Sequence, residues 1–252
     1  MLAHDHIVEI FKALADPNRL RVFELLLRSD LSNSELMEQT GLRQNLLSHH
    51  LTILADCSLI HVHRSVGDAR RHYYSINLAA TEQFQQWWAR YSPPSLHRLP
   101  ALQRPRRVLF LCLRNTSRSL IAEALARHYA PDALIAYSAG IEPEPSVLPA
   151  VTQRVLEENG VPTDGLTPNT VNELREIPFD YVITVCDIVH ESQVPAELKH
   201  VEHLHWSLRD PIATLSNPEH QVRAARELHD TVKQRLSLFV HCLAHEESYP
   251  TP

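Results

Sequence analysis

Paired cysteines are missing from this chain. Its 252 residues include only four cysteines, Cys57, Cys112, Cys186 and Cys242, without the paired spacing of a disulfide framework. That argues against a secreted, disulfide-stapled scaffold and for a cytoplasmic setting. No apolar run approaches the length needed to span a bilayer, and the chain opens on His and Asp instead of a signal pattern, so no membrane role is expected. Internal repeats and low-complexity tracts are absent as well. What remains, 44% hydrophobic and 21% charged residues, is a globular composition long enough for two cores of ordinary size.

Charge separates the halves. Residues 1–100 hold ten basic and ten acidic side chains, whereas residues 108–252 hold eleven and twenty. A near-neutral first half would bind nucleic acid through locally placed arginines and not through bulk charge. Between the halves, residues 92–107 contain Pro93, Pro94, Pro100 and Pro105 with four arginines, a semi-rigid spacer. The expected domains are therefore residues 1–91 and 108–245 with residues 92–107 as linker.

The most informative segment begins at Val108. A short β-prone run over residues 108–111 leads into Cys112-Leu113-Arg114-Asn115-Thr116-Ser117-Arg118-Ser119, and then Leu120, Ile121, Ala124 and Leu125 repeat at helical spacing. The loop therefore joins a strand to a helix N-terminus, where outward N–H groups and the helix dipole favour an oxyanion. Leu113, Arg114, Asn115, Thr116, Ser117 and Ser119 are the candidate oxyanion-binding residues. Arg118 can grip two oxygens of the anion and, with the helix start, is expected to lower the pKa of Cys112 and make it nucleophilic. Ser119 can donate a hydrogen bond to the sulfur. The loop has no glycine, so Asn115 is the residue best able to take a left-handed conformation.

Strand-like runs at residues 108–111, 134–138, 181–185 and 201–206 alternate with helical segments, which predicts a parallel α/β sheet. Ligands bind at the carboxyl ends of such strands. Cys112 follows the first run, Cys186 the third, and Asp210 lies shortly past the fourth, so the three should meet at one edge. Pro211 keeps Asp210 out of the α region. Asp210 is the candidate general acid.

The segment from Val108 to Ala124 resembles the active-site loop of the low-molecular-weight protein tyrosine phosphatase and thioredoxin-coupled arsenate reductase superfamily. Ser138-Ala139-Gly140, the helix-like residues 147–159 before Gly160, the run from Phe179 to Asp187, and His205-Trp206-Ser207 leading to Asp210-Pro211 extend that resemblance over about 135 residues. It implies a phosphatase I-like fold. It also implies Cys112 as nucleophile and Cys186 as the second sulfur that resolves the Cys112–arsenic adduct as a disulfide. The pattern departs at two places: Gln193 stands where a third cysteine is usual, and Ser117 where another is common. The relay would then stop at Cys112–Cys186, with thioredoxin or a small thiol as electron donor and no bound cofactor. Reductase is favoured over phosphatase, since Ile212 also replaces a tyrosine common in phosphatases. A non-catalytic oxyanion or redox sensor is a third reading.

The first hundred residues read differently. Apolar residues at helical spacing flank Asp16-Pro17, predicting two helices that meet at a corner. Residues 32–39 form a first helix with Ser32 as N-cap and Glu35 completing a capping box, Thr40-Gly41 turns the chain, and residues 42–55 form a second helix. On that helix Leu46, Leu47, Leu51 and Leu54 are expected to be buried, while Arg43, Gln44, Asn45, Ser48 and His49 face outward near its start, where a recognition helix reads base edges. Residues 59–64 and 72–76 form a hairpin around Gly67-Asp68, a wing whose Arg64, Arg70 and Arg71 would lie on phosphates. Ala13-Leu14-Ala15-Asp16-Pro17-Asn18-Arg19-Leu20 and Leu47-Ser48-His49-His50-Leu51 resemble an ArsR/SmtB-type repressor. That implies an α+β winged helix-turn-helix domain on a double-stranded operator. Phe84, Trp87, Trp88 and Tyr91 on a terminal helix suggest the seam of a homodimer. The inducer thiols of arsenite-sensing members are absent from Leu31-Ser32-Asn33-Ser34-Glu35, Cys57 is expected to be inert and buried, and no metal site is assigned to the scattered histidines.

Overall fold

The computed structural model describes residues 4–88, 99–143, 148–192, 194–211 and 215–248. The chain forms two compact units, residues 1–98 and 99–252. Tyr91, Gln193, Ile212 and residues 92–98 of the predicted spacer lie outside the described residues.

In the first unit, α1 (His4–Leu14) and α2 (Pro17–Arg28) meet at Asp16, whose carboxylate accepts the Asn18 and Arg19 amides as N-cap. Proline at the first helical position needs no hydrogen-bond partner there. Then β1 (Leu31–Ser32) leads into α3 (Asn33–Thr40), and the predicted capping box is present: Ser32 Oγ accepts the Glu35 amide while the Glu35 carboxylate accepts the Ser32 amide at 2.7 Å. Gly41 closes the helix in the left-handed region, φ 70°. α4 is Gln44–Asp56, and β2 (Ile60–Arg64) pairs antiparallel with β3 (His72–Ile76) as the predicted hairpin. β1 adds a third strand on β3, with Leu31 opposite Tyr74. α5 (Leu78–Trp88) follows. Val22, Leu26, Leu36, Leu47, Leu51 and Leu54 form the core; each such side chain contributes roughly 1.5–3 kcal/mol by leaving water.

The second unit is a four-stranded parallel sheet in the order β5-β4-β6-β7. Its strands are β4 (Arg106–Cys112), β5 (Leu134–Gly140), β6 (Tyr181–Thr184) and β7 (Glu202–His205). Arg106 and Arg107, read from sequence as spacer, are strand residues. Helices α6 (Arg118–Tyr129), α7 (Ala150–Glu158), α8 (Asp187–Ser192) and α9 (Pro218–Ser248) complete it, the last running beyond residue 245. β4 is buried from Val108 to Cys112, as a central strand covered on both faces requires. Phe110, Trp206 and Phe239 pack against one another in tilted and edge-to-face contacts through the core, with ring centroids 5.8 and 6.2 Å apart.

Candidate functional site

Three chain segments converge at the carboxyl edge of this sheet. Cys112 is the last residue of β4, and the loop after it turns at Asn115, which adopts φ 52° as expected. That conformation is held by the Asn115 side chain: Nδ2 donates to Ser119 Oγ and Ser138 Oγ, both at 2.8 Å, and Oδ1 accepts the Asn169 amide at 2.7 Å. The turn aims the Asn115 amide at Cys112 Sγ, 3.1 Å away, and Ser119 Oγ lies 2.9 Å from the same sulfur. Gly140 permits this packing, because a Cβ there would lie 3.0 Å from the Leu113 carbonyl oxygen and 3.0 Å from the Arg114 carbonyl carbon. Beneath Asn115, the buried Glu123 accepts from Ser138 Oγ and pairs with Arg127. Burial raises its pKa to about 7, Ser138 and Arg127 opposing.

The expected lowering of the Cys112 pKa is overturned. The sulfur is fully enclosed, and burial pushes the thiol up against the opposing charge of Arg118 and the hydrogen bonds from Ser119 and Asn115. Sequence spacing revealed the donors and the cation but not the depth of the pocket.

The remaining loop residues divide. Leu113 and Thr116 lend carbonyls to neighbouring segments, accepting from the Glu142 amide at 2.8 Å and Thr152 Oγ1 at 3.2 Å. Arg114 is exposed, while Ser117 is buried with a hydroxyl that finds no partner among the described residues, although it stands at the N-cap of α6. Arg118 and Asp210, assigned separate roles from sequence, form an ion pair at 2.9 Å, and the same guanidinium donates to the Leu208 carbonyl at 3.3 Å. Cys186 follows β6, the strand beside β4. Leu111 pairs with Thr184, and the Val185 amide donates to the Leu111 carbonyl at 2.8 Å. Both thiols are free and buried, and they interact electrostatically.

In the first unit Arg43, Gln44, Asn45, Ser48 and His49 are all exposed around the start of α4, Arg43 as its N-cap residue. Leu46 departs from the expected buried stripe. It is 43% exposed among these polar residues, and His50 takes the buried place instead, 4.0 Å from Asp16. Burial lowers the His50 pKa, only partly offset by that carboxylate. On the wing, Arg64, Arg70 and Arg71 are exposed, but Arg70 is held by Asp68 at 3.1 and 3.2 Å. Ser32, Ser34, Gln44, Arg70, Arg71 and His72 line a cavity of about 440 Å³ where α3, α4 and the wing meet. Phe11 and Trp88 are half-exposed, and Phe11 packs on Phe84 and Trp87 with centroids 5.8 and 6.1 Å apart. Cys57 is only partly buried, its sulfur 3.8 Å from the Glu9 carbonyl, and burial raises its pKa.

A winged helix-turn-helix and a parallel α/β unit whose cysteine loop opens a helix thus share one chain. That chain belongs to the low molecular weight phosphotyrosine protein phosphatase family, whose profile matches residues 107–248, and carries before it a domain of the bacterial regulatory protein arsR family, matched over residues 16–62. Among its relatives, an arsenate reductase of Halalkalibacterium halodurans is 30% identical over 133 residues, 52% of this chain and 93% of that protein. A probable mercury resistance operon repressor of Streptomyces lividans is 37% identical over 73 residues, 26% of this chain and 58% of that protein. An arsenate reductase solved in a phosphate-binding state is 23% identical, with 54% of this chain and 97% of that one covered at a TM-score of 0.45.

Proposed function

We propose that the second unit reduces arsenate to arsenite and that the first binds an operator on double-stranded DNA as a homodimer. The observation that carries the first part is the second buried thiol one strand over from Cys112, which a phosphatase does not need. Cys112 gives its thiol proton to the bound arsenate dianion and attacks arsenic as the thiolate, and an arsenate oxygen leaves as water with a second proton from Asp210. Arg118 and the loop amides hold the remaining oxygens. Cys186 thiolate then attacks Cys112 Sγ; the S–S bond forms as the S–As bond breaks, and its electron pair reduces As(V) to As(III), released as arsenite. An external thiol, thioredoxin or a small one, reduces the Cys112–Cys186 disulfide. Before this can start Arg118 must exchange Asp210 for the anion, since a carboxylate accepting from a guanidinium cannot also hand a proton to a leaving oxygen.

The test is arsenite release from arsenate by the purified chain with thioredoxin or a small thiol. Release that needs both Cys112 and Cys186 is expected. Release abolished by Cys112→Ser but not Cys186→Ser moves the resolving step to the external thiol. No arsenite alongside aryl-phosphate turnover would replace the reading with phosphatase. Anion binding without turnover would replace it with a sensor.

For DNA, support comes from the exposed row Arg43, Gln44, Asn45, Ser48 and His49 at the start of α4 with Arg64, Arg70 and Arg71 on the wing beside it. The weak exposed Arg70–Asp68 pair can be exchanged for a phosphate. The half-exposed Phe11 and Trp88 support the dimer.

A further inference from the structure

The segment that carries Asp210 is fastened at more than one place, and only its contact with Arg118 enters the proposed chemistry. Where β7 ends, the Trp206 amide donates to the Thr184 carbonyl at 2.9 Å, and the Trp206 side chain is buried against Phe110. Ser207 Oγ then donates to Asp187 Oδ1 at 2.6 Å. Asp187 follows Cys186 directly and opens α8, and His205 Nε2 lies 3.2 Å from the same carboxylate oxygen. Three residues past Ser207, Asp210 meets Arg118, and the Leu208 carbonyl between them accepts from the same guanidinium at 3.3 Å. The segment thus has two attachments: one to a carboxylate beside Cys186, the other to the arginine beside Cys112.

The two attachments differ in permanence. A hydroxyl that donates to a carboxylate out of water makes a strong bond, and one costly to leave unmade. The Asp187 side chain is 2% exposed, against 13% and 16% for Arg118 and Asp210. The less enclosed pair is also the one that has to open before an anion reaches the guanidinium. When it opens, the bond at Ser207 can stay made. Three extended residues reach about 10 Å at most, so Asp210 can clear Arg118 and still return to a leaving oxygen of the bound anion. Without the Ser207 bond the free stretch begins nearer Trp206, and Asp210 spreads over more positions. It then spends less time on Arg118 and less time at the leaving oxygen.

We propose that Asp187 is a positioning residue that anchors the Asp210 segment through Ser207, so that the segment opens about a fixed point and keeps its acid beside the Cys112 loop. Because Asp187 adjoins Cys186, one carboxylate sets both the acid and the resolving sulfur against that loop. The proposal rests on the reading of the loop as an oxyanion site with Asp210 as acid. Its mark is a split between binding and chemistry. Loss of the anchor frees Arg118, so an anion binds more tightly, while the acid is less often in place, so the chemical step slows. General disorder of the site would weaken both.

The experiment uses the full chain, with inorganic phosphate as the binding probe, followed by calorimetry, and arsenate as the reactant. Ser207→Ala should bind phosphate roughly twofold to fivefold more tightly than wild type, the worth of a partly exposed ion pair. Loss of the Cys112 thiol on mixing with arsenate should slow roughly tenfold to a hundredfold, the scale of a small misplacement at a reacting centre. Ser207→Thr, which keeps the hydroxyl, should restore both. In an Asp210→Ala background Ser207→Ala should change phosphate affinity no further, since the two act through one group. Asp187→Ala should repeat the Ser207→Ala pattern and also slow closure of the Cys112–Cys186 disulfide; should that variant fail to fold, the Ser207 variants still decide. Unchanged or weaker phosphate binding in Ser207→Ala overturns the proposal, as does a reaction at the wild-type rate or an effect on phosphate that survives in the Asp210→Ala background. Phosphate bound by neither wild type nor Ser207→Ala also overturns it. Absence of arsenite with the wild-type chain would remove the reductase reading, while the phosphate measurements still decide the anchor.

Discussion

Asn115 does work that a glycine would do in a plainer loop. Its positive φ is tolerated because its side chain bonds Ser119, Ser138 and the Asn169 amide. Asn115→Ala keeps the strain and leaves those buried groups without a partner, so the second unit should lose about 3 kcal/mol. Asn115→Gly removes the same bonds but relieves the backbone, and should lose about 1 kcal/mol less; denaturant midpoints of the two variants check the order. Below it, Glu123 supplies a pH dependence. Its folded pKa is raised to about 7 by burial, so between its ordinary range and 7 the folded state holds a proton the unfolded state has lost. Stability therefore falls as pH rises through that window and levels off above it. Glu123→Gln carries no such penalty, and its stability relative to wild type should climb by about 3 kcal/mol from pH 4.5 to 7; melting temperatures of the two proteins across that range test it. Asn115 was legible in the sequence because no glycine competed for its role. The raised thiol pKa of Cys112 was not, because enclosure is set by packing from elements distant in sequence, such as β5, where Gly140 pairs beside Cys112.

Elements carried more of their own signal. The capping box at Ser32 and Glu35, the Asp16-Pro17 corner and the Gly41 turn each depend on residues adjacent in sequence, and each formed as read. Ser32→Ala should cost about 1 kcal/mol of stability in the first unit, readable in its unfolding midpoint. β1 escaped notice because two residues carry no periodicity; only their pairing with Tyr73 and Tyr74 makes them a strand. Leu46 escaped for the opposite reason, since its spacing fits the buried stripe while the helix turns it outward. Its exposure beside Asn45 and His49 suits contact with a thymine methyl group. Leu46→Ala should then weaken operator binding while changing stability by less than about 0.5 kcal/mol, and a gel-shift titration paired with a melting curve separates the two effects.

At the scale of the whole molecule, one chain joins two units with unlike charge. The near-neutral first unit should show a shallow dependence of operator affinity on salt, set by a few arginines; fluorescence anisotropy at several ionic strengths measures the slope, and Arg71→Ala should reduce it by about one. Phe11 and Trp88 together expose apolar surface at the proposed dimer seam. Trp88→Glu should shift the protein toward monomer in sedimentation and abolish cooperative operator binding. The division into two units was visible in the proline-rich stretch, yet the strand entered it as far as Arg106, because Arg106 and Arg107 pair with Leu134 and Ile135 despite their charge.

The ion pair between Arg118 and Asp210 has one more implication. Under the proposed chemistry Asp210 is a tethered competitor for the arginine that holds the substrate, so the protein carries its own displacing anion. Arsenate must evict it to enter, and it evicts the product oxyanion by returning. Entry is then an exchange of one negative partner for another, and the loop is never left with an unmatched positive charge at its mouth.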